Sequence, residues 1–571
     1  MTLDLQATAS LQGRLGAELA RCAADLRAAT FPFSLCDALL ASERQICEPF
    51  TLAVVGLVKA GKSSLVNALL GIDLPTVGAT ETTATVNVFR MSENTSGDVH
   101  IFVCRRDNQV REQVSIDFLR QLQGDSEEVM RRVAEIDHIE FLVPGNRLLT
   151  GMTLIDTPGL EAVSGTHQDT TASLLGLASQ LRRRNIASTA SLAREADGIV
   201  YVTHYEPRES DRHFLEEFHQ STRLDDHTRS TIAVVGRSDF DRDANQWALH
   251  AQKIQDSFGN VVLKTIPTSV EMFLLAQRLS ITPAIRAAFH RFCTALNDDD
   301  FASLLNERRF RHDENSAISL DDRLSIAAET DEWTAFQAAA TFVRKLNSPS
   351  ENDAVEKLTT IAGVDSLRAI IQKEMIDVGP LLRCRRIAWD AESLTDREGK
   401  AYVRLLGMSD EEEIRTSNRM RQFLDRILPT VLPQDLSVVA ELVEFLQSRC
   451  ITNRATIARQ HLASVQRRIA IVRRECDRQL KRVVCLRTLE QFKMDLLPEQ
   501  YCELGALFGT NDVDRSDPVS ARMTFHQAMH RKQFWQVASH PSHDLRRVFM
   551  AAVQEYEQYL ASGVDLRENN L

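Results

Sequence analysis

Residues 56–63 have the residue types and the spacing of a loop that binds phosphate groups. They read GLVKAGKS, which matches G-x-x-x-x-G-K-S, and they follow the apolar run at 51–55 directly. Backbone N–H groups of such a loop, and of the helix after it, bind phosphate oxygens. We expect Lys62 to reach the β and γ phosphates and the Ser63 hydroxyl to bind Mg²⁺. The residues predicted to contact the nucleotide phosphates are Gly56, Ala60, Gly61, Lys62, Ser63 and Ser64.

Two further segments carry groups for magnesium and for an attacking water. Asp156-Thr-Pro-Gly159 follows an apolar run at 152–155, so we expect Asp156 to hold Mg²⁺ through water. The Gly159 N–H is expected to contact the γ phosphate and to sense its loss. One of Thr82 and Thr83 should close over Mg²⁺ and orient the water through its backbone carbonyl, and we favour Thr83. A threonine-rich loop that only caps the next strand is the alternative.

Residues 236–239, which read GRSD, indicate the base. Asp239 can accept hydrogen bonds from N1 and N2 of guanine, and adenine offers neither donor. Gly236 stands where Asn or Thr is usual, and Arg237 stands where Lys is usual, although a guanidinium can stack on a purine. A turn-forming Asp without a ligand is the alternative. The segment 267–269, PTS, is a further candidate for contact with the base. The predicted ligands are GTP or GDP with Mg²⁺.

The residues for hydrolysis depart from the common pattern. Leu160 occupies the position after DTPG, where small GTPases often have a water-orienting Gln. Water activation must therefore come from elsewhere, and the loop residues Val58 and Lys59 are the ones to inspect. We hypothesise that the Lys59 ammonium lies across the phosphates and supplies the charge of an arginine finger. The alternative is that Lys59 faces solvent or a partner. The catalytic candidates are Lys62, Thr83 and Lys59.

Apolar, β-branched runs alternate with helical stretches over residues 49–275. The runs predicted as strands are 51–56, 84–89, 99–103, 152–155, 198–202, 231–235 and 261–266. A helix is predicted to begin at Lys62. Strands that alternate with helices predict a doubly wound α/β domain with a mostly parallel sheet.

The rest of the sequence predicts helices. Residues 276–571 contain few glycines and no convincing alternating strand, and prolines separate a series of long helical stretches. Residues 1–48 show apolar side chains at helical spacing. We therefore predict an elongated all-α bundle over 276–571, joined to the α/β domain, with the helices of 1–48 packed into it.

Composition narrows the function classes. The 571 residues carry a formal net charge of -12, which argues against a protein that coats nucleic acid. The ten cysteines include no CxxC pair, so zinc and redox motifs are absent from the sequence. No apolar stretch reaches the length of a membrane span and no secretory signal is recognisable, so the cytoplasm is the expected location. Any membrane contact should be peripheral.

The nucleotide motifs together resemble those of the dynamin superfamily, and of bacterial dynamin-like proteins in particular. The likeness rests on KAGKSSLVNALLG at 59–71, Leu-Pro at 74–75, Thr-Thr-Ala at 82–84 and DTPGL at 156–160. Motif likeness covers residues 50–270, and the type named for labile enterotoxin output is the most similar one that we can suggest. Many dynamins carry a Gln where this chain has Val58, and a Ser where it has Lys59.

The resemblance implies a GTPase head joined to a neck and a trunk of long helices. It also implies dimerisation through the heads, driven by GTP, a trunk tip that touches lipid, and membrane remodelling. The partner could be a second copy or another dynamin-like protein. Two other classes remain open: a GTP-regulated scaffold that hydrolyses weakly, and an RNA- or ribosome-associated GTPase, which the acidic balance disfavours.

Three segments are candidates for the lipid contact. Residues 454–493 hold eleven Lys or Arg against three acids and have apolar residues at helical spacing, as in a basic amphipathic helix on anionic lipid. The alternative is a trunk helix whose basic face pairs with acids such as those at 409–413. The segments 427–433 and 504–508 place apolar residues beside helix breakers, which suits an exposed tip or an ordinary packed loop.

Overall fold

The molecule divides into two compact units. The computed structural model describes residues 5–56, 60–72, 85–92, 97–105, 111–122, 127–157, 196–203, 211–213, 215–216, 230–313, 315, 317–346, 349–427, 454–508 and 525–568. One unit, Pro49–Gly379, contains the strands and is called the sheet unit below. The other combines Met1–Glu48 with Pro380–Leu571 and is called the helical unit.

The strands of the sheet unit form one mixed sheet. They are β1 (Phe50–Gly56), β2 (Val86–Met91), β3 (His100–Arg105), β4 (Arg111–Val114), β5 (Ile136–Val143), β6 (Met152–Asp156), β7 (Gly198–Thr203), β8 (Thr231–Val235) and β9 (Lys264–Pro267). Their order across the sheet is β4-β3-β5-β2-β6-β1-β7-β8-β9. Five neighbouring pairs are parallel, and the pairs β2–β6, β3–β5 and β3–β4 are antiparallel. The predicted α/β fold with a mostly parallel sheet is confirmed.

The centre of the sheet explains where a ligand can bind. β1 pairs in parallel with β6 on one side and β7 on the other, and β7 continues in parallel to β8 and β9. Every residue of β7 and β8 is buried, as in strands that are covered on both faces. Parallel strands end at the same edge, so Gly56, Asp156 and Gly236 come to one edge of the sheet. Ligands of open α/β sheets bind at that edge.

The strands β4 and β5 are not among the strands predicted from the sequence, because both contain polar side chains that interrupt an apolar run. β4 is an edge strand that pairs only with β3, and three of its four residues are exposed. β5 includes Glu140, which is buried but forms ion pairs with Arg111 at 2.9 Å and Arg90 at 3.4 Å. A paired carboxylate is tolerated in a buried strand, but this pairing is invisible to a hydrophobicity pattern.

Helices surround the sheet and extend its unit well past residue 275. They are α3 (Lys62–Leu70), α4 (Ile116–Gln121), α5 (Glu127–Glu135), α6 (Ala244–Phe258), α7 (Val270–Ile281), α8 (Pro283–Ala295), α9 (Asp298–Leu304), α10 (Glu307–His312), α11 (Leu320–Ala328), α12 (Trp333–Arg344), α13 (Glu351–Ile361) and α14 (Val364–Ile370). The Arg368 guanidinium of α14 donates to the Leu69 carbonyl of α3 at 3.0 Å. The Ser269 N–H donates to the Ala362 carbonyl at 3.0 Å. The sheet unit reaches Gly379, because these later helices pack on its own elements. The domain boundaries at 48 and 275 stay predictions.

The helical unit combines both ends of the chain. Its helices are α1 (Leu5–Ala28), α2 (Phe33–Gln45), α15 (Gly379–Leu394), α16 (Lys400–Ile427), α17 (Arg454–Gln491), α18 (Pro498–Phe508), α19 (Phe525–Val537) and α20 (His543–Glu568). The Tyr402 hydroxyl donates to the Thr30 carbonyl at 2.6 Å, and Arg468 of α17 pairs with Asp25 of α1. The N-terminal helices thus pack with helices from the far end of the chain.

The basic helix α17 is a packed helix. Its apolar stripe, which includes Leu462, Ile469 and Cys476, is buried. Arg454 pairs with Asp410 at 2.9 Å, and Arg482 pairs with Glu555 of α20 at 2.9 Å. The apolar stripe therefore faces the protein, so the expectation that α17 lies with this stripe in lipid is wrong. The alternative of a trunk helix with paired arginines is what the structure has.

Two other features bear on membrane contact. Leu504 and Phe508 of α18 are buried in the core formed with α17, α19 and α20, so 504–508 is not an exposed tip. The segment 427–433 lies outside the described residues, apart from Ile427 at the end of α16. Among the described helices, none combines the length and the apolar character that a membrane crossing needs.

Candidate nucleotide-binding site

The phosphate end of the site is built where β1 turns into α3. Gly56 has φ 151°, and a Cβ there would lie 2.1 Å from the Val202 carbonyl oxygen of β7. Gly61 is the N-cap of α3 with φ 84°, in the left-handed region that favours glycine, and no side chain caps the helix. The start of α3 therefore points its backbone N–H groups and the positive end of the helix dipole toward this position, which favours an anion. Ala60 is buried and Ser64 is exposed.

Lys62 is held at this end as a buried cation. Its side chain is only 6% exposed, and Nζ donates to the Gly56 carbonyl at 3.2 Å. Burial lowers the pKa of Lys62 to about 8, and the charge of Asp156 opposes this shift. A phosphate group beside Nζ would restore the preference for the ammonium form. Lys62 is therefore suited to an anionic ligand.

Ser63 and Asp156 meet beside Lys62 in the arrangement expected of a magnesium site. The Ser63 hydroxyl donates to Asp156 Oδ2 at 2.7 Å. Asp156 is 1% exposed, and burial raises the pKa of its carboxyl group. Its second oxygen, Oδ1, is buried and has no hydrogen-bond partner among the residues that the structure describes. Such an oxygen is costly to bury unless something binds it, and a hydroxyl and a carboxylate are the oxygen ligands that Mg²⁺ prefers. The side chains present therefore fit Mg²⁺.

Asn87 is a further polar residue at this point, and it is not among the residues predicted from the sequence. It is buried on β2 directly opposite Asp156 in the antiparallel register. Its Nδ2 lies 3.5 Å from Asp156 Oδ2, at the limit of a hydrogen bond, and its Oδ1 accepts from the Thr85 hydroxyl at 3.3 Å. The sequence feature that indicates Asn87 is a polar amide within the apolar strand sequence VNVF, because a buried amide needs hydrogen-bond partners.

The base end of the site lies just after β8. Asp239, in the short 3-10 turn Ser238–Phe240, is 3% exposed, and its Oδ2 accepts from the Thr334 hydroxyl at 3.1 Å. Arg237 has φ 55°, and its Nη2 lies 3.5 Å from Glu332 Oε1. The Arg237 guanidinium also lies over the Phe240 ring, 4.9 Å from its centroid. The two predicted base-reading residues are therefore held by residues from the start of α12.

Gly236 joins the two ends of the site. A Cβ at this position would lie 2.5 Å from the Ala60 carbonyl oxygen in the phosphate loop. Cβ atoms do not approach backbone oxygens so closely, so the usual Asn or Thr does not fit this backbone. The departure of GRSD from the common pattern thus has a steric cause.

The segment 267–269 has structural partners. The Thr268 carbonyl accepts from the Ser238 N–H at 3.0 Å, and the Thr268 N–H donates to the Val235 carbonyl at 2.9 Å. The Ser269 hydroxyl caps α7 by accepting from the Met272 N–H at 3.2 Å. Both side chains are buried. These contacts support the base end from behind.

Several predicted residues lie outside the described part of the chain, and their roles stay predictions. They are Val58, Lys59, Thr82, Thr83, Gly159 and Leu160. The described candidates lie at the ends of β1, β6 and β8, or in the turns and the helix start that follow these strands, at one edge of the sheet. They are Gly56, Ala60, Gly61, Lys62, Ser63, Ser64, Asp156, Arg237 and Asp239.

Comparison with known proteins agrees with this location. A model described as Dynamin family matches residues 52–237. Two relatives from Mycobacterium tuberculosis are the isoniazid-induced proteins IniC, 34% identical over 133 residues, and IniA, 26% identical over 195 residues. The matches cover 23% of this chain and 25% of IniC, and 33% of this chain and 26% of IniA. The chain thus spans about a quarter of the length of the curated relatives that it matches.

Two solved structures share low similarity with the chain. One is an oligomerised bacterial dynamin pair, presented as a mechanism for long-range sensing and tethering of membranes; it is 13% identical with a TM-score of 0.31. That match covers 80% of this chain and 91% of the other. The second is Aquifex aeolicus Era bound to GDP and AlF₄⁻, 17% identical with a TM-score of 0.21, covering 38% and 50%. The likeness to the enterotoxin-output type stays a prediction.

Proposed function

Because the chain carries a GTPase domain of the dynamin family at residues 52–237, we propose that its sheet unit binds GTP and GDP with Mg²⁺ and hydrolyses GTP. The carrying observation is the cluster at the ends of β1 and β6. There Lys62 is a buried cation, and the Ser63 hydroxyl lies 2.7 Å from Asp156 Oδ2. The other Asp156 oxygen is buried and accepts no hydrogen bond from the described part of the chain. These are the groups that a triphosphate with its metal requires.

Each residue has a defined part in this proposal. The N–H groups at the start of α3 and the Lys62 ammonium bind the β and γ phosphates, and Ser63 with Asp156 holds the metal. Bound there, Mg²⁺ would supply positive charge against the negative charge that builds up on the phosphate oxygens. Asp239 accepts from guanine N1 and N2. Asn87 orients the Asp156 carboxylate from behind.

Three roles in hydrolysis rest on the sequence alone. Thr83 closes over the metal and orients water, Gly159 contacts the γ phosphate, and Lys59 lies across the phosphates. Turnover can therefore be slow or can require a partner, because Leu160 and Val58 replace the residues that commonly position water. A GTP-regulated scaffold is the outcome if the chain binds GTP selectively and does not turn it over.

Replacement of the base-reading carboxylate tests the nucleotide assignment. Asp239→Asn removes an acceptor for guanine N1–H and adds an N–H₂ donor, which suits the C2 carbonyl of xanthine. Hydrogen bonds to charged groups contribute about 1.5–3 kcal/mol each, so we expect GDP affinity to fall at least about tenfold. The variant should prefer xanthosine diphosphate in titration calorimetry.

Asp256→Asn, an exposed site on α6, is the matched control and should leave GDP binding unchanged. Wild-type protein should select GDP over ADP. Equal binding of GDP and ADP by wild type, or unchanged selectivity in Asp239→Asn, contradicts guanine recognition. Lys62→Ala should abolish GTP turnover in a phosphate-release assay.

We further propose peripheral contact with anionic membranes through an exposed face of α17. Arg459, Arg467, Arg474 and Lys481 are exposed and follow one another at intervals of eight and then seven residues. At about 100° per residue these positions lie within one sector of roughly 80° along the helix. Each cation near an anionic surface contributes about 1 kcal/mol. This face is distinct from the buried apolar stripe.

Co-sedimentation with phosphatidylserine vesicles tests the membrane proposal. Changing these four residues to Gln should abolish binding, and high salt should weaken the wild type. The matched control changes four exposed arginines of α16 to Gln, namely Arg404, Arg415, Arg419 and Arg426. Equal loss in both variants would indicate a non-specific charge effect. Absence of wild-type binding with and without GTP would favour the protein scaffold.

A further inference from the structure

One helix outside the matched GTPase region holds the loop that reads the base. Thr334 of α12 lies 95 residues after Asp239 in the sequence, yet its hydroxyl donates to Asp239 Oδ2 at 3.1 Å. Just before the helix, Glu332 lies 3.5 Å from the Arg237 guanidinium. Just after the helix, the Lys345 ammonium lies 2.9 Å from Asp243 Oδ1. The segment 237–243 is therefore tied to both ends of α12.

The Thr334 hydroxyl donates its hydrogen bond to a carboxylate that is almost completely buried. Asp239 is 3% exposed, so water cannot readily replace a lost hydrogen-bond donor. The terminal torsion of an Asp side chain is broad and is set by the partners of its oxygens. Each carboxylate oxygen has two lone pairs, so Oδ2 can accept from Thr334 and from a base together. The Thr334 hydroxyl can thus orient the Asp239 carboxylate and still leave a lone pair of Oδ2 to accept from the base.

The electrostatic surroundings make such a donor more important. Asp239 lies in an acidic neighbourhood, which the pKa of Glu271 reports. Burial is the main cause that raises this pKa, and the negative charges of Asp331, Glu332 and Asp239 raise it further. The charge of Arg237 acts in the opposite direction. Among acids, a carboxylate would turn away from its neighbours unless a donor holds it. In the described part of the chain, the Thr334 hydroxyl is the side-chain donor that contacts Asp239.

We propose that Thr334 is a positioning residue for guanine recognition. Its hydroxyl holds the Asp239 carboxylate so that both oxygens face the guanine N1–H and N2–H₂ donors. The inference rests on the proposed function of this site, because it assigns a role in reading the base. It places part of the base specificity in a helix beyond residue 237, the end of the family match.

The experiment compares GDP with inosine diphosphate, which lacks the N2 amino group. Inosine offers Asp239 only one donor, so a misoriented carboxylate harms GDP binding more than inosine diphosphate binding. For Thr334→Val we expect GDP affinity to fall by about fivefold to tenfold and the ratio of the two affinities to move toward one. Thr334→Ser, which keeps the hydroxyl, should restore both values.

The matched control is Thr341→Val, the same substitution on the same helix seven residues later. It should leave the affinity ratio unchanged. Thermal unfolding of each variant without nucleotide checks that the fold is retained, and Thr334→Ala repeats the test if valine prevents folding. A merely structural Thr334 would weaken both nucleotides by the same factor or leave both unchanged. Either result overturns the inference.

Failure of the proposed function gives a different result. In that case wild-type protein would not distinguish GDP from ADP, and the inference would fall with it. If wild type selects GDP over ADP but Thr334→Val leaves the ratio of GDP to inosine diphosphate affinity unchanged, as Thr341→Val does, the proposed function stands and the inference is wrong. The wild-type selectivity therefore separates the two failures.

Discussion

The two ends of the candidate nucleotide site are held in different ways. At the phosphate end, Lys62 and Ser63 follow β1, and Asp156 ends the neighbouring strand β6, with Val54 opposite Asp156 in register. At the base end, Asp239 and Arg237 follow β8 but are held by residues at the start of α12, about 95 positions later in the sequence. Main-chain pairing therefore positions the first group, and side-chain contacts with a distant helix position the second.

The ends also differ in what they leave unsatisfied. Within the described ranges, Asp156 Oδ1 is buried without a hydrogen-bond partner, and burial disfavours the charged form of Lys62. Asp239, in contrast, accepts from Thr334, and Arg237 lies against Glu332 and Phe240. We infer that the phosphate end gains its missing contacts from the ligand, whereas the base end is organised before the ligand arrives.

The largest expected effect comes from breaking the joint between the two ends. Gly236→Asn restores the residue that is usual in this motif, but its Cβ would lie 2.5 Å from the Ala60 carbonyl oxygen. Overpacking of this kind costs about 1–3 kcal/mol, so urea denaturation should show a lower free energy of unfolding. Both GDP and inosine diphosphate should bind more weakly, because the phosphate loop shifts with Ala60.

The control for this substitution is Gly71→Asn. Gly71 has φ 65° with nothing within 4 Å of its Cβ position, and Asn tolerates the left-handed region. It should therefore cost much less than Gly236→Asn. If the two variants are equally stable and bind GDP equally well, the steric account of the GRSD sequence is wrong.

A smaller effect should distinguish the ends by pH. In the protein without nucleotide, Lys62 is charged at pH values below its pKa of about 8. In that pH range, phosphate binding does not require Lys62 to take up a proton. Above that pH, Lys62 is increasingly neutral, and phosphate binding must take up a proton. The dissociation constant for GDP should thus be flat below pH 8 and rise by up to about tenfold per pH unit above it.

Guanosine, which lacks phosphates, is the matched ligand for this measurement. It engages only the base end, so its binding should be nearly independent of pH between about 6.5 and 9. Titration calorimetry in buffers of different ionisation enthalpy should report proton uptake with GDP alone. The same rise in dissociation constant for both ligands would place the titrating group at the base end instead.

The predictable and unpredictable parts of the molecule follow from the range of the interactions. The strands β1, β6, β7 and β8 are visible in the sequence as apolar runs, because β6, β7 and β8 are buried along their whole length and β1 at every residue except Thr51. β4 and β5 were missed, because an exposed edge and an ion-paired Glu140 do not look apolar. The sequence also gives no sign that the compact unit reaches Gly379, because the packing of later helices on the sheet unit leaves no local pattern.

The same distinction applies to individual side chains. The glycines and the lysine of the phosphate loop were recognisable, because a fixed spacing after a strand is a local requirement of that loop. Asn87 and Thr334 were not recognisable, since each acts through a residue far away in the sequence, at separations of 69 and 95 residues. The buried stripe of α17 was seen as apolar, but the sequence could not say whether protein or lipid covers it.

By itself, the sequence determined that a phosphate-binding loop follows a buried strand and that an α/β domain is joined to a helical region. Those features depend on local residue types, backbone freedom at glycine and the periodicity of apolar residues. Only the tertiary structure decided that Ser63 meets Asp156, that Gly236 lies against Ala60, and that α12 holds Asp239. These contacts arise when separate elements pack, so they depend on distances in space that no local pattern encodes.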